Sequence, residues 1–318
     1  MLSTSSRPYI DASIPVLRSH GVAITKTFYN NMFKAHPELT QIFNMGNQAN
    51  GAQQQALAAG LFAYAANIDN TNALIPVINR ITHKHASVGV RQAHYPIIGQ
   101  YLIGAIKEVL GTAATPELLA AWDEAYWLLA NQLIEAEINL YHASGVEPGE
   151  FRKMKIINRV EEDELVTSFT LSPLDGTPAA KFLPGQYISV MVELSPEQRQ
   201  QRQYSLSDAS GLPYWRISVK RITEQSDSPA GAVSNWLYRF AKPGDVLLVS
   251  AAFGEFTPDL STTTPIGLLS AGVGVTPMIS ILNTLALSKE KRPVLFAHAA
   301  RHGAAHAHLN DVKNAKNI

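Results

Sequence analysis

Ile81-Thr82-His83-Lys84-His85-Ala86-Ser87 places a candidate metal ligand inside an apolar segment of helical spacing that begins near Leu74. A single histidine near apolar residues is more often a hydrogen-bonded or surface residue, so the stretch alone does not decide its role. What decides it is the pattern on either side.

Upstream, Ile14-Pro15-Val16-Leu17 through Phe33 and then Gln54 to Ile68 space their apolar residues by three and four, as does the segment Ala73 to Ala86 that holds the two histidines. Downstream, Gln92 to Leu110 and Pro116 to Tyr141 do the same, with Pro and Gly only near the ends. The spacing predicts an all-helical first domain over residues 1–145. Pro37-Glu38-Leu39 starts a short turn, and Phe43 follows in a corner before the next long helix. Gln53 and Leu57, four apart, look into the same space from one helical face. Read singly, Tyr29 and Phe43 are core aromatics, Gln53 is one of three surface glutamines, Glu137 is a solvated helix residue, and Lys84 is a snorkelling surface lysine.

The whole chain has 318 residues, too many for one ordinary core, which leads to an expectation of two or three domains of roughly 100 to 200 residues each. Lys+Arg and Asp+Glu are both 26, for a formal net charge of 0. That balance offers no field for gathering nucleic acid or an anionic membrane. With Cys 0 there is no disulfide framework, thiolate metal site or cysteine nucleophile, so any redox chemistry must come from a cofactor. Arg7, Pro8 and Asp11 interrupt the start of the chain, which lacks the apolar core of a secretory signal; a cytoplasmic protein is expected. Leu260 to Ser288 carries no charge, but Pro265, Gly267, Gly272, Gly274 and Pro277 break it, so it reads as a buried strand, a tight turn and a helix rather than a membrane span.

Gly145-Val146-Glu147-Pro148-Gly149 ends the helical pattern, and short alternating runs follow: Met154 to Val160, Leu165 to Leu171, Tyr187 to Val192. These predict an antiparallel β domain over 146–262. Within it Pro184-Gly185-Gln186-Tyr187, Arg202-Gln203-Tyr204-Ser205 and Gly231-Ala232-Val233-Ser234 occur in order. Glu197 to Arg202 reads by itself as a polar, solvated loop, and Tyr187 and Tyr204 as strand aromatics. From residue 263, the strand Pro265 to Ala271 leads through Gly272-Val273-Gly274-Val275-Thr276-Pro277 into a helix, Met278 to Leu287, with Pro277 in its first turn. A second strand, Val294 to His298, and a helix toward Lys316 complete a partial α/β domain, 263–318. A glycine turn between strand and helix suits a pyrophosphate, although the third glycine of the dinucleotide fingerprint is missing. His302 and His306 are read as exposed helix histidines with no third metal ligand at suitable spacing.

From about Ile10 to the C-terminus the chain resembles the bacterial flavohaemoglobins. The resemblance is carried by Phe28-Tyr29-Asn30-Asn31-Met32-Phe33, His36-Pro37-Glu38-Leu39, Ile42-Phe43-Asn44-Met45, Tyr64-Ala65-Ala66-Asn67-Ile68, Lys84-His85, the three β-domain motifs and Ser270-Ala271-Gly272-Val273-Gly274 through Pro277. It implies a globin fold, then a ferredoxin-reductase-like antiparallel β-barrel that binds FAD, then an α/β domain for NAD(P)H. It also implies haem b held by His85, with Phe43 against the porphyrin and Tyr29, Gln53 and Leu57 on the distal side. His83 is rejected, because residues two apart on a helix point to nearly opposite faces.

On the proximal side the resemblance adds Tyr95 and a late-helix carboxylate, matched by Glu137, with Glu135 as second choice. A carboxylate on the other ring nitrogen would make His85 more anionic and push electron density onto iron. Lys84 would tune the haem by its charge. For the flavin, Arg202 would pair with pyrophosphate, Tyr187 and Tyr204 would lie by the isoalloxazine, and Gln203 and Ser205 would contact the cofactor. Gly231, Val233 and Ser234 would seat phosphate at a helix start.

The implied activity is nitric oxide dioxygenation: NO and O2 as small-molecule partners, electrons passing from NAD(P)H to FAD to haem, in a protein expected to be a monomer without nucleic-acid partners or integral membrane association. The family's later strands, its Cys-Gly-Pro nicotinamide motif and its C-terminal flavin-contacting segment do not follow before Ile318, so the third domain is expected to be incomplete and hydride transfer is in question. The competing readings are a haem-based O2/NO-binding or sensing globin whose truncated reductase does not function, and a flavin reductase whose globin part is only structural.

Overall fold

The computed structural model describes residues 1–224, 229–288 and 292–315. It divides into two compact units, Met1–Gly149 and Glu150–Ile318.

The first unit is helical: α1 Arg7–Ala35, a 3-10 turn Pro37–Gln41, α2 Met45–Ala49, α3 Ala52–Ala66, α4 Thr71–Val88, α5 His94–Leu110 and α6 Pro116–Ser144. Short polar side chains set several helix starts: the carboxamide of Asn44 accepts from Gly46 and Asn47, Asn70 from Ala73, and Thr115 from Leu118. Left-handed glycines, Gly89 and Gly145, end α4 and α6. The apolar faces of α1, α3, α5 and the first half of α6 close on one core that includes Ile24, Phe28, Met32, Leu102, Ile106 and Trp122. Sequence spacing starts α1 too late. The helix begins at Arg7, so Pro15 lies inside it, and Pro76 lies inside α4. Each removes one backbone donor and is carried by packing on either side.

The second unit opens with an antiparallel sheet: β1 Arg152–Glu161, β2 Val166–Pro173, β3 Tyr187–Ser195, β4 Gln198–Ser205, β5 Trp215–Lys220 and β6 Val246–Val249, in the order β4-β3-β6-β1-β2-β5. The two outer strands meet. Leu206, just past β4, bridges Ile217 of β5, and the Ser207 N–H donates to the Arg216 carbonyl at 2.8 Å. The sheet thereby curls into a barrel, and Phe169, Leu171, Ile188, Val190, Leu206 and Ile217 fill it with no exposed surface. The helix α7, Ala232–Phe240, packs Val233 and Leu237 into the same core.

Of Glu197 to Arg202, read above as a polar loop, all but the turn residue Glu197 lie in a strand. Residues 198–205 pair along β3, and Gln200 and Gln201 are buried rather than solvated. A glutamine-rich run has low β propensity, and pairing with Val190 and Val192 overrides it.

The remainder is β7 Ile266–Ala271, a 3-10 turn Gly272–Gly274, α8 Val275–Ser288, β8 Val294–Ala299 and α9 Leu309–Ala315. β7 and β8 are parallel neighbours, Leu268 opposite Phe296. The strand expected to be fully buried is covered on one face only: Leu268 packs under α8, whereas Leu269 and Leu295 are each 67% exposed. His302 and His306 flank a single 3-10 turn instead of sharing a helix, and the His306 ring lies 4.5 Å from that of His298. The helix expected toward Lys316 is present through Ala315, and Lys316 itself lies outside the described residues. Among the described residues no helix is long and apolar enough to cross a membrane.

Candidate functional site

Helix α4 presents His85 in its last turn, and α6 presents Glu137 opposite it. Glu137 is a carboxylate only 3% exposed, and its Oε1 lies 2.8 Å from Nδ1 of His85. The same oxygen accepts the phenol of Tyr95, from the first turn of α5, at 2.6 Å, while that phenol oxygen is 3.2 Å from Nδ1 of His85. Three helices therefore converge on one imidazole edge. A buried carboxylate normally costs stability unless its lone pairs are used, and two donors use these. Burial and the negative charge of Glu137 raise the Tyr95 pKa far above the ordinary phenol range, so it remains a hydrogen-bond donor. With Nδ1 committed to Glu137, the opposite ring nitrogen, Nε2, is the one left to bind a metal. Glu135 has no part in this contact. Among the described residues no cluster of three or more His, Cys, Asp or Glu could hold a metal ion by itself, so a metal at His85 would be held by one protein ligand, as in a haem.

Across the helical unit, Tyr29 of α1 is 5% exposed and hydrogen-bonds Gln53 of α3. Burial pushes the Tyr29 pKa up to about 12, against a smaller lowering by the Gln53 hydrogen bond, so the phenol is neutral and able to donate at physiological pH. The rings of Phe43 and Tyr29 meet edge to face with centroids 5.9 Å apart, and Phe33 stacks on Tyr29 at a centroid distance of 5.7 Å. Leu57 and Phe43 are only partly buried although they pack on the main core. Apolar side chains beside a donor pair, in the same helical unit as an imidazole whose Nε2 is left for a metal, are side chains that would suit a haem and a polar ligand bound to it. Lys84 is exposed, next in sequence to His85.

Sequence reading missed the supporting residues. Gln54 is not a surface glutamine: it is buried and donates to the side-chain and backbone oxygens of Gln48. Tyr126 donates to the carbonyl of Tyr95 at 2.6 Å, and Tyr141 to that of Val90 at 3.0 Å. Both tyrosines lie at helical spacing from Glu137, which is the signal that could have found them.

In the barrel unit, strand alternation puts Arg202 and Tyr204 on one face of β4 and Gln203 and Ser205 on the other. Ser205 pairs with Tyr187 across the ladder, which brings the first two motifs together. Arg202 is half-buried, donates to the Gln201 carbonyl at 2.7 Å and to the Gln200 side chain, and has its pKa lowered by burial. A half-buried guanidinium whose hydrogen-bond partners among the described residues are neutral oxygens suits an anionic group. Gln203 donates to Ser189 at 3.1 Å, so its amide is engaged within the barrel. Gly231 caps α7, and the Ser234 hydroxyl donates back to its carbonyl at 3.2 Å. Val233 is buried in the core and offers a ligand only its backbone N–H.

At the third motif Gly272 takes φ 52, a left-handed turn that a side chain would strain, and α8 begins at Val275. Thr276 donates to the Val273 carbonyl at 3.0 Å, and the Val275 side chain is fully buried. Val275 and Thr276 thus build the turn, and Gly272 through Gly274 supply the open backbone. Pro277 falls in the first turn of α8, where its missing N–H costs nothing.

The comparisons agree with both units. Residues 26–133 match the globin family. A flavohemoprotein of Bacillus cereus is 45% identical over 100% of this chain and 79% of its own length, and one of Bordetella parapertussis is 48% identical over 98% of this chain and 78% of its own. Among solved structures, the flavohemoglobin of Malassezia yamatoensis, crystallised with bound FAD and heme, aligns with a TM-score of 0.87 at 31% identity, over 99% of this chain and 82% of that one. Identity of this order along the chain, on the same succession of a globin fold and a ferredoxin-reductase-like barrel with an α/β segment, shows that the chain belongs to the flavohaemoprotein family.

Proposed function

We propose that this chain is a nitric oxide dioxygenase that oxidises NO to nitrate with O2, drawing electrons from NAD(P)H through FAD to haem b. The observation that carries the reading is the His85–Glu137–Tyr95 triad, set in the same helical unit as the Tyr29–Gln53 donor pair. When bound, haem supplies an open coordination site for a diatomic ligand, and FAD supplies the conversion of a hydride into single electrons.

The chain's own residues do the rest. His85 binds through Nε2, and Glu137 accepts the Nδ1 proton and makes the ring a stronger electron donor, which favours cleaving an O–O bond over reversible oxygen storage. Tyr29, supported by Gln53, donates a proton-sharing bond toward a ligand that gains negative charge. Phe43 and Leu57 keep water away from the macrocycle. Arg202 and the start of α7, with Gly231, Val233 and Ser234, hold the flavin's phosphates; Tyr187, Tyr204, Gln203 and Ser205 set its ring; and Gly272 to Pro277 receive the pyrophosphate of the nucleotide. The working division is 1–145 for the globin domain, 146–262 for the flavin barrel and 263–318 for the nucleotide segment, in a monomeric cytoplasmic protein.

The test is anaerobic reduction by NADH or NADPH followed by NO consumption once oxygen is admitted. Reduction of the haem band and stoichiometric nitrate are the expected result; haem that neither nucleotide reduces rejects the activity for this chain.

A further inference from the structure

Helix α6 carries Glu137 and Tyr141 four positions apart, so both face α4. Glu137 takes the ring of His85. Tyr141 takes the backbone that follows it. Its buried phenol donates to the Val90 carbonyl at 3.0 Å and lies 3.3 Å from that of Ala86. These oxygens sit where α4 runs out, Val88 being its last residue and Gly89 its left-handed cap; the Ala86 carbonyl also accepts the Gly89 N–H at 3.1 Å, and the Val90 carbonyl lies just past the cap, where the helix supplies no donor. The same phenol oxygen accepts the N–H of Gly149, the last residue of the helical unit.

The packing around this point leaves no slack. A Cβ on Gly89 would lie 3.0 Å from the Cα of Gly149, and one on Gly149 would lie 2.9 Å from the Arg91 guanidinium; both glycines hold positive φ, +78° and +75°. One hydroxyl thus ties the end of the His85 helix to the segment in which the helical unit ends.

We propose that Tyr141 is a positioning residue for His85: it fixes the backbone turn that bears the imidazole, and with it the placement of Nδ1 on Glu137, while pinning Gly149 to that turn. The proposal rests on His85 being the haem ligand. Removing the hydroxyl takes this partner from the buried Val90 carbonyl and from the Gly149 N–H, while the Ala86 carbonyl keeps the N–H of Gly89. The turn then relaxes, and the 2.8 Å contact between ring and carboxylate, which depends on distance and angle, loosens with it.

The experiment compares the full wild-type chain with Tyr141→Phe, which keeps the ring's packing. Hydrogen exchange is measured with and without haem, and the iron–histidine stretch by resonance Raman on the ferrous protein. The expected result is faster exchange in peptides covering 86–91 and 145–149, and an iron–histidine band moved to lower frequency and broadened. Turnover is expected to fall about tenfold, with KM for O2 little changed. Gly149→Ala, which presses on Arg91 while leaving the hydroxyl in place, is expected to move the band the same way by less. Faster exchange or a lower melting temperature with an unmoved band in both variants overturns the proposal and leaves Tyr141 a merely structural residue. A wild-type chain that takes up hemin without an iron–histidine band overturns it too, and separately identifies the reading of His85 as the part that failed.

Discussion

Nδ1 of His85 and Oε1 of Glu137 stand 2.8 Å apart, the histidine in the last turn of α4 and the carboxylate buried on α6. Glu137→Gln keeps the shape of the contact and removes its charge. Turnover is expected to fall about 10- to 100-fold, as it does for other partners of metal-bound histidines. Stopped-flow NO consumption is the check. Tyr95→Phe, which removes one of the carboxylate's two donors and leaves the ring contact, is expected to cost less than Glu137→Gln; the reverse order would mean that the phenol, not the carboxylate, governs the imidazole.

On the proposed function Tyr29 would donate toward a haem-bound ligand, and its loss is best read from ligand escape. Tyr29→Phe is expected to speed O2 dissociation by about 10- to 100-fold, the equivalent of a hydrogen bond to a charged acceptor worth about 1.5–3 kcal/mol. Because the phenol titrates only near 12, O2 dissociation from the wild type is expected to be flat from neutral to mildly alkaline pH. Gln53 lowers that pKa, so Gln53→Leu should raise it further and leave the plateau in place. An inflection near pH 8 that vanishes in Tyr29→Phe would contradict the assignment.

Arg202 lies half-buried on β4 with no carboxylate partner among its hydrogen bonds. Arg202→Ala is expected to weaken FAD retention by about 10- to 100-fold, from the loss of one charge-assisted bond of about 1.5–3 kcal/mol, and to leave haem content unchanged. Flavin fluorescence released on dilution measures it, with the Soret absorbance as the internal control.

Asp311 of α9 bonds Arg216 of β5, Asn283 of α8 and His308. Burial alone would raise its pKa, but the His308 hydrogen bond and the Arg216 guanidinium, with Asn283, hold it well below the usual carboxylate range. A depressed folded pKa stabilises the fold above the unfolded value of about 3.9 and is lost as pH falls through the folded value. Asp311→Asn is therefore expected to lower stability by about 1–3 kcal/mol at neutral pH and to remove part of the wild type's decline in strongly acid solution. Urea midpoints across that range decide it; parallel pH curves for the two proteins would refute it.

What the sequence made legible follows from which signals are local. The periods of 3.6 and 2 located α3 through α6 and β1 through β3, and the pairing of His85 with Glu137 came through because family motifs anchor both ends. Contacts that join distant segments were silent. Nothing around Gln198 announces a strand, since the reason for it is β3 alongside. Likewise the buried His308, which meets Ser218 at 2.8 Å and Asp311 at 3.1 Å, sits in a run of histidines that reads as solvated. Spacing puts Tyr141 on the face of Glu137, but its partners are carbonyls and an amide, groups that every residue carries, so the letters mark its place and not its role.

The ladder in which Lys153 faces Leu248 joins the first strand of the barrel to its last. During synthesis that strand must wait for nearly the whole of its domain to emerge, whereas α1 to α6, which carry Tyr29, His85 and Glu137, have all left the ribosome before it does. The order of translation thereby becomes an order of maturation: the porphyrin pocket is ready to be filled while the flavin's seat is still being made.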